Sequence, residues 1–162
     1  MTPQASSVTI RKAKKEDAPE ILECLRQAFE EFQESYTNEA FLDTVLTPET
    51  LEERLQKMSI FVAVDFAFQI VGTIACGVVS SEEGHLRGMA VLPSLRGGGI
   101  AAELLRQAET ELRQLRCSRV TLDTTGPLLR AMRFYEKHGY QRSGRVTDFF
   151  GMPLIEYQRF LV

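Results

Sequence analysis

Residues 85 to 102 read HLRGMAVLPSLRGGGIAA, and how this stretch is read decides the fold. It opens as an apolar-rich run through Val91 and Leu92, halts at Pro93, then passes through Arg96 and three successive glycines into a long amphipathic segment. That is the pattern of a strand, a turn and the start of a helix. Gly97, Gly98 and Gly99 have no side chains, so a ligand can come close to the main chain, and the free amides of a helix's first turn point toward it. An anionic group is the expected occupant.

Beyond the glycines, Ala101, Leu104, Leu105, Ala108, Leu112 and Leu115 recur at helical spacing, and Arg119 to Thr124 reads as a short strand. A helical crossover between two strands of one sheet makes them parallel. Gly126 and Pro127 open a further helix that carries Met132, Phe134 and Tyr135 and ends at Gly139 after His138. Two final strands, about Gln141 to Phe149 and Leu154 to Leu161, are divided by Gly151 and Pro153.

Toward the N-terminus, Ile60 to Val79 has the length of a membrane helix. Asp65, Gln69, Gly72, Gly77 and many β-branched residues make it two buried strands instead. Phe66 and Phe68 in the turn between them fit either the core or a subunit contact, so a homodimer stays open. Thr47 and Pro48 start a helix that buries Leu51, Leu55 and Met58. Residues 30 to 46 mix Glu30, Glu31, Glu34 and Glu39 with Tyr36 and Phe41, and read as a solvated helix end and loop. Ile21, Leu22, Leu25, Ala28, Phe29 and Phe32 form one face of a helix started by Glu16, Asp17 and Pro19, and Val8 to Lys12 is a first short strand. The hairpin-like strands around the parallel pair make the sheet mixed.

The chain has 162 residues with no repeat or low-complexity linker, and reads as a single domain over 1–162. A net charge of −3 gives no electrostatic case for nucleic acid or an anionic membrane as partner. Cys24, Cys76 and Cys117 are odd in number and far apart, which suits reduced core thiols better than disulfides or a metal site. The first seven residues lack the basic and apolar regions of a secretory signal, so a cytoplasmic location is expected.

Taken alone, Gly97-x-Gly99-x-x-Ala102 with Asp123 at the end of the next strand satisfies a dinucleotide-binding fingerprint. On that segment alone a nicotinamide-linked oxidoreductase is an open alternative. The surrounding chain is not built of the repeated strand and helix units such a domain needs, and Arg96 adds a cation beside the phosphate position. No Lys-Ser or Lys-Thr pair follows the glycines, which excludes a Walker-type loop.

Three blocks together resemble the GCN5-related N-acetyltransferase (GNAT) family. Arg96-Gly97-Gly98-Gly99-Ile100-Ala101 matches its Gln/Arg-x-x-Gly-x-Gly/Ala motif, Met89 to Pro93 matches the strand and proline ahead of it, and Phe134-Tyr135-Glu136-Lys137-His138-Gly139-Tyr140 is similar to its Phe-Tyr-Glu-Lys-x-Gly-Phe. The resemblance implies an α/β (α+β) fold: a mixed, mostly antiparallel sheet of about seven strands with a central splayed parallel pair, flanked by about four helices. It also implies acetyl-CoA as co-substrate without a metal, its pyrophosphate on the amides of Gly97, Gly98, Gly99, Ile100 and Ala101 with help from Arg96. The pantetheine would run along Met89, Ala90 and Val91, where a main-chain amide would polarise the thioester carbonyl.

The implied chemistry is direct transfer to a small-molecule or peptide amine. Tyr135 matches the tyrosine that protonates the departing thiolate in many relatives, and its phenol, with an ordinary pKa of about 10, holds its proton at rest. His85 matches a base position, with an ordinary pKa of about 6.5, and Glu83 or a water chain can substitute. On a strand His85, Arg87, Met89 and Val91 share one face, so Arg87 can orient an acidic part of the acceptor. Leu128 departs from the asparagine that contacts the cofactor in many relatives, and His138 reads as a helix C-terminal cation. In relatives the segments corresponding to residues 30 to 46 and to the Phe149-Phe150-Gly151 turn hold the acceptor, and the four glutamates there suit a cationic amine. A catalytically silent CoA-binding protein of the same fold is the other reading.

Overall fold

A computed structural model describes residues 8–161. The seven N-terminal residues, on which the expected location rests, lie outside them. Seven strands form one sheet: β1 (Thr9–Lys12), β2 (Ser59–Val64), β3 (Ile70–Ser80), β4 (Glu83–Val91), β5 (Arg119–Thr125), β6 (Gln141–Phe149) and β7 (Met152–Phe160). Their order is β1-β2-β3-β4-β5-β7-β6, and among the described residues β4 and β5 pair in parallel and the other neighbours antiparallel. The crossover that makes them so is the helix expected after the glycines.

Among the described residues five α-helices flank the sheet: α1 (Ala18–Phe29), α2 (Asn38–Val45), α3 (Pro48–Lys57), α4 (Ile100–Gln114) and α5 (Leu129–Lys137). One face is covered by Ile21, Cys24, Leu25 and Leu51 of α1 and α3, packed over Val62, Val64, Ala75 and Ala90. The other is covered by Leu104, Leu105 and Leu112 of α4 with Met132 and Tyr135 of α5, over Ile74, Leu86, Val120 and Leu122. A Cβ on Gly84 would lie 2.8 Å from the Leu112 side chain, so α4 sits close against β4. Buried Glu109 of α4 accepts hydrogen bonds from the Tyr140 hydroxyl at 2.7 Å and Arg159 at 2.8 Å, tying α4 to β7 without leaving a charge unpaired.

The segment from 60 to 79 is the β2–β3 hairpin, and no described helix is long and apolar enough to cross a membrane. Asp65 Oδ1 accepts from the amides of Ala67 and Gln69 in its turn, which leaves Phe66 and Phe68 80% and 84% exposed rather than folded onto the core. Cys24, Cys76 and Cys117 are free and buried, and burial pushes the Cys24 thiol up to about 12.

Two expectations need correction. Residues 30 to 46 are not a loop: a 3-10 turn at Glu30–Ser35 leads to α2, where Thr37 caps the helix by accepting from the Ala40 amide at 3.3 Å. Its apolar positions were hard to see because Tyr36 and Ala40 pack with Phe149 and Met152 of the β6–β7 hairpin, apart from the main core. Nor do His85, Arg87, Met89 and Val91 share a face. Thr73 pairs with Ala90 but Ala75 with Arg87, so β4 carries an extra residue at a bulge where Gly88 takes a φ of +61°. Leu86 and Val91 therefore pack on the α4 side and Ala90 on the α1 side, while His85 and Arg87 leave the sheet opposite Leu86.

Candidate active site

Pairing between β4 and β5 ends at Leu86 opposite Leu122, whereas β5 stays paired with β7 as far as Thr125 opposite Leu154. From Arg87 to Val91 the edge of β4 facing β5 is therefore without a strand partner, as the expected splay requires. A cavity of about 150 Å³ occupies the fork. It is lined by Tyr36 and Arg54 from the α1–α3 layer, by His85, Arg87 and Gly88, by Asp123 and Thr124, and by Tyr135 from α5. A second, charged cleft of about 520 Å³ shares His85, Arg87 and Asp123 and adds Glu83, Arg119, Arg145 and Glu156.

His85 stands opposite Thr121 in the parallel ladder, and its Nδ1 lies 2.7 Å from the Thr121 hydroxyl. That hydroxyl can donate onward to the Gly84 carbonyl at 3.4 Å. On its other side His85 Nε2 lies 3.4 Å from Asp123 Oδ2. Asp123 is thus part of the site, although the sequence offered it only as the acid of the rival dinucleotide reading. The signal was present in the strand period, since Thr121 and Asp123 share the face that His85 meets. Glu83 is instead held by Arg119 in an ion pair.

Tyr135 is buried, with its ring edge-on to Phe134 at 5.4 Å and Tyr140 at 5.8 Å. Burial alone lifts its phenol well above the ordinary value, so it keeps its proton across the physiological range. The Tyr36 hydroxyl is hydrogen-bonded to that of Thr125 at 2.6 Å. None of the four glutamates between 30 and 39 lines the cavity; from residues 30 to 46 it is Tyr36, Asp43 and Thr44 that do, together with Phe149.

Past Pro93–Leu95, a 3-10 turn, Gly97 and Gly99 take φ of +85° and +87°, and Gly99 caps α4. A Cβ at Gly97 would meet nothing within 4 Å, so the main chain is open on that side. The amides of Ile100, Ala101 and Ala102 precede the helix's own ladder, which begins with Glu103 donating to Gly99. These features fit a diphosphate. Arg96 is turned elsewhere: its guanidinium pairs with Glu31 and donates to the Ala28 carbonyl at 2.9 Å.

Leu128 offers α5 no side-chain cap, and Thr124 Oγ1 nearby is buried without a partner, unlike any other such side-chain atom among the described residues. His138 Nδ1 donates to the Phe134 carbonyl at 2.8 Å at the end of α5. Among the described residues no group of metal-ligating side chains converges.

The Acetyltransferase (GNAT) family matches residues 19–140, and the chain belongs to that family. The fold is shared with the PaiA N-acetyltransferase of Thermoplasma acidophilum in complex with coenzyme A, at a TM-score of 0.80 and 18% identity over 96% of this chain and 99% of that one. It is shared equally with a GNAT-family acetyltransferase of Staphylococcus aureus Mu50 (TM-score 0.79, 20% identity, 96% and 99% covered). The ribosomal-protein-S18-alanine N-acetyltransferase of Escherichia coli superposes with a TM-score of 0.75 at 16% identity, covering 94% of this chain and 93% of that one. In sequence, the chain is 28% identical over 95 residues to the uncharacterized protein YdhI of Bacillus subtilis, an alignment spanning 54% of this chain and 53% of that protein.

Proposed function

We propose that the protein is an acetyl-CoA-dependent N-acetyltransferase that moves an acetyl group directly to a primary amine. The observation that carries this is the fork between β4 and β5, which sets an unpaired main-chain edge beside a cavity holding a protonated phenol and an imidazole backed by a carboxylate. The neighbouring structure that contains coenzyme A supports the choice of ligand.

Acetyl-CoA, when bound, supplies the acetyl group as an activated thioester. The amides of Gly97 to Ala101 hold its pyrophosphate, and the free edge of Met89, Ala90 and Val91 binds its amides and polarises the carbonyl. His85 takes the amine's proton as the N–C bond forms, with the Asp123 carboxylate beside its ring. Tyr135 gives its proton to the thiolate as the C–S bond breaks. Charge and protons balance, because the proton gained at His85 passes to solvent and that lost by Tyr135 returns from it. Buried thiols at Cys24, Cys76 and Cys117 suit a reducing, cytoplasmic setting.

A melting screen with CoA, acetyl-CoA and NAD, followed by thiol release from acetyl-CoA with an amine panel, tests the reading. Stabilisation by both CoA species and thiol release are expected. Stabilisation without transfer to any amine indicates a silent CoA-binding protein, and stabilisation by NAD alone overturns the assignment.

A further inference from the structure

The cavity at the fork holds cations that the transfer chemistry does not use. Arg54 projects from α3 onto the β4 bulge, where a Cβ at Gly88 would lie 2.9 Å from its Nη1. It is half-buried and, like Arg87 at the cavity mouth, makes no ion pair among the described residues, although Asp43 stands near enough to attract it. Burial, and after it the charge of Arg87, hold the Arg54 guanidinium down at about 10. A cation half-removed from water beside a second cation is costly unless an anion joins it. Asp123, the other acid in the cavity, is already committed to His85. The Thr124 hydroxyl, 2% exposed and unpartnered, lines the same cavity and is a further polar group awaiting a partner.

We infer that the acceptor is an amine that also carries an anionic group, a carboxylate or a phosphonate, held by Arg54 and Arg87 while its nitrogen lies at His85. This rests on the acetyltransferase reading and narrows it. The guanidinium fork binds a planar or tetrahedral oxyanion through two parallel hydrogen bonds, which a bare ammonium cannot reproduce. The Gly88 bulge serves the same end, since it leaves the Arg54 guanidinium room against the strand.

The test gives the full chain acetyl-CoA and matched amines: phenylalanine against phenethylamine, histidine against histamine, and β-alanine and 2-aminoethylphosphonate against ethylamine. Thiol release and mass spectrometry of the product are the readouts. The expected result is a kcat/KM roughly 10- to 100-fold higher for an anionic member than for its uncharged partner. Arg54→Gln and Arg87→Gln should bring that ratio toward one, and Arg54→Lys should restore part of it. Preference for either oxyanion supports the inference, and the larger value names the anion. Arginines with a merely structural role would lower both members of a pair alike, and that outcome overturns it. So does a preference for the uncharged amines, which leaves the transferase reading standing. A protein that is stabilised by acetyl-CoA but acetylates no amine overturns both.

Discussion

Replacing Tyr135 by phenylalanine should separate chemistry from stability. The ring is fixed between Phe134 and Tyr140, and the substitution keeps every ring contact. Burial lifts the phenol's pKa and no hydrogen-bonded group among the described residues opposes it, so removing its oxygen frees no buried partner. The expected change in unfolding free energy is within about 1 kcal/mol, of either sign. The rate should respond very differently. A positioned acid contributes about 10²- to 10⁴-fold, so kcat should fall by that factor, or about 2.7 to 5.4 kcal/mol of barrier. Because the wild-type phenol stays protonated well beyond neutrality, the variant's pH–rate profile should keep the wild-type shape and lose only height. The assay is steady-state thiol release at saturating acetyl-CoA between pH 6 and 9, paired with thermal denaturation. A kcat within about threefold of wild type would refute the assignment of the acid, since general acid catalysis contributes far more. An alkaline limb present in the wild type and absent in the variant would refute the claim that burial keeps the phenol protonated.

Three other outcomes are expected. His85→Gln should lower kcat/KM about 100-fold near neutrality, with the deficit shrinking at high pH where more of the amine is already deprotonated; a pH-independent deficit argues against the base. Gly88→Ala should cost about 1–2 kcal/mol, because alanine resists positive φ, and should raise the acceptor KM through its clash with Arg54 while CoA affinity holds. Asp17, which accepts from Arg11 at 2.7 Å and from the Lys14 amide, is held below the usual carboxylate range chiefly by the Arg11 hydrogen bond. Its contribution is therefore complete above the unfolded pKa of about 3.9 and disappears as pH falls through the lower folded value. Asp17→Asn should destabilise by about 1–3 kcal/mol at pH 7 and match wild type in strong acid, as read by urea melts across pH.

Much of this architecture was legible because it is written in local periods. The glycines after Pro93, the helical stripe from Ala101 to Leu112 and the Thr47-Pro48 cap each announce themselves within a few residues. What escaped depends on contacts distant in sequence. The eight residues of α2 bury their small side against the β6–β7 hairpin, so no stripe facing the main core marks them. Arg96 follows the motif but reaches back to Glu31 and Ala28, partners more than sixty positions away. His85 and Tyr135 could be singled out because they match motif positions, whereas Asp123 and Arg54 enter the site only through strand register and helix placement. The bulge has a local mark in Gly88, an isolated glycine inside a strand pattern, but its register with β3 has none.

That bulge also makes the length of β4 a specification separate from its composition. Between Thr73 and Ala75, β3 advances two positions while β4 advances three, from Arg87 to Ala90. Flattening the bulge while keeping all nine residues of β4 would restore unbroken alternation, so the residues from Met89 to Val91 would exchange sides of the sheet relative to His85. Val91 would turn toward α1, Ala90 toward α4, and the edge now free at the fork would be re-presented one position out of step. A chain with all of the proposed catalytic groups intact would then have them arranged around the wrong side of its own backbone.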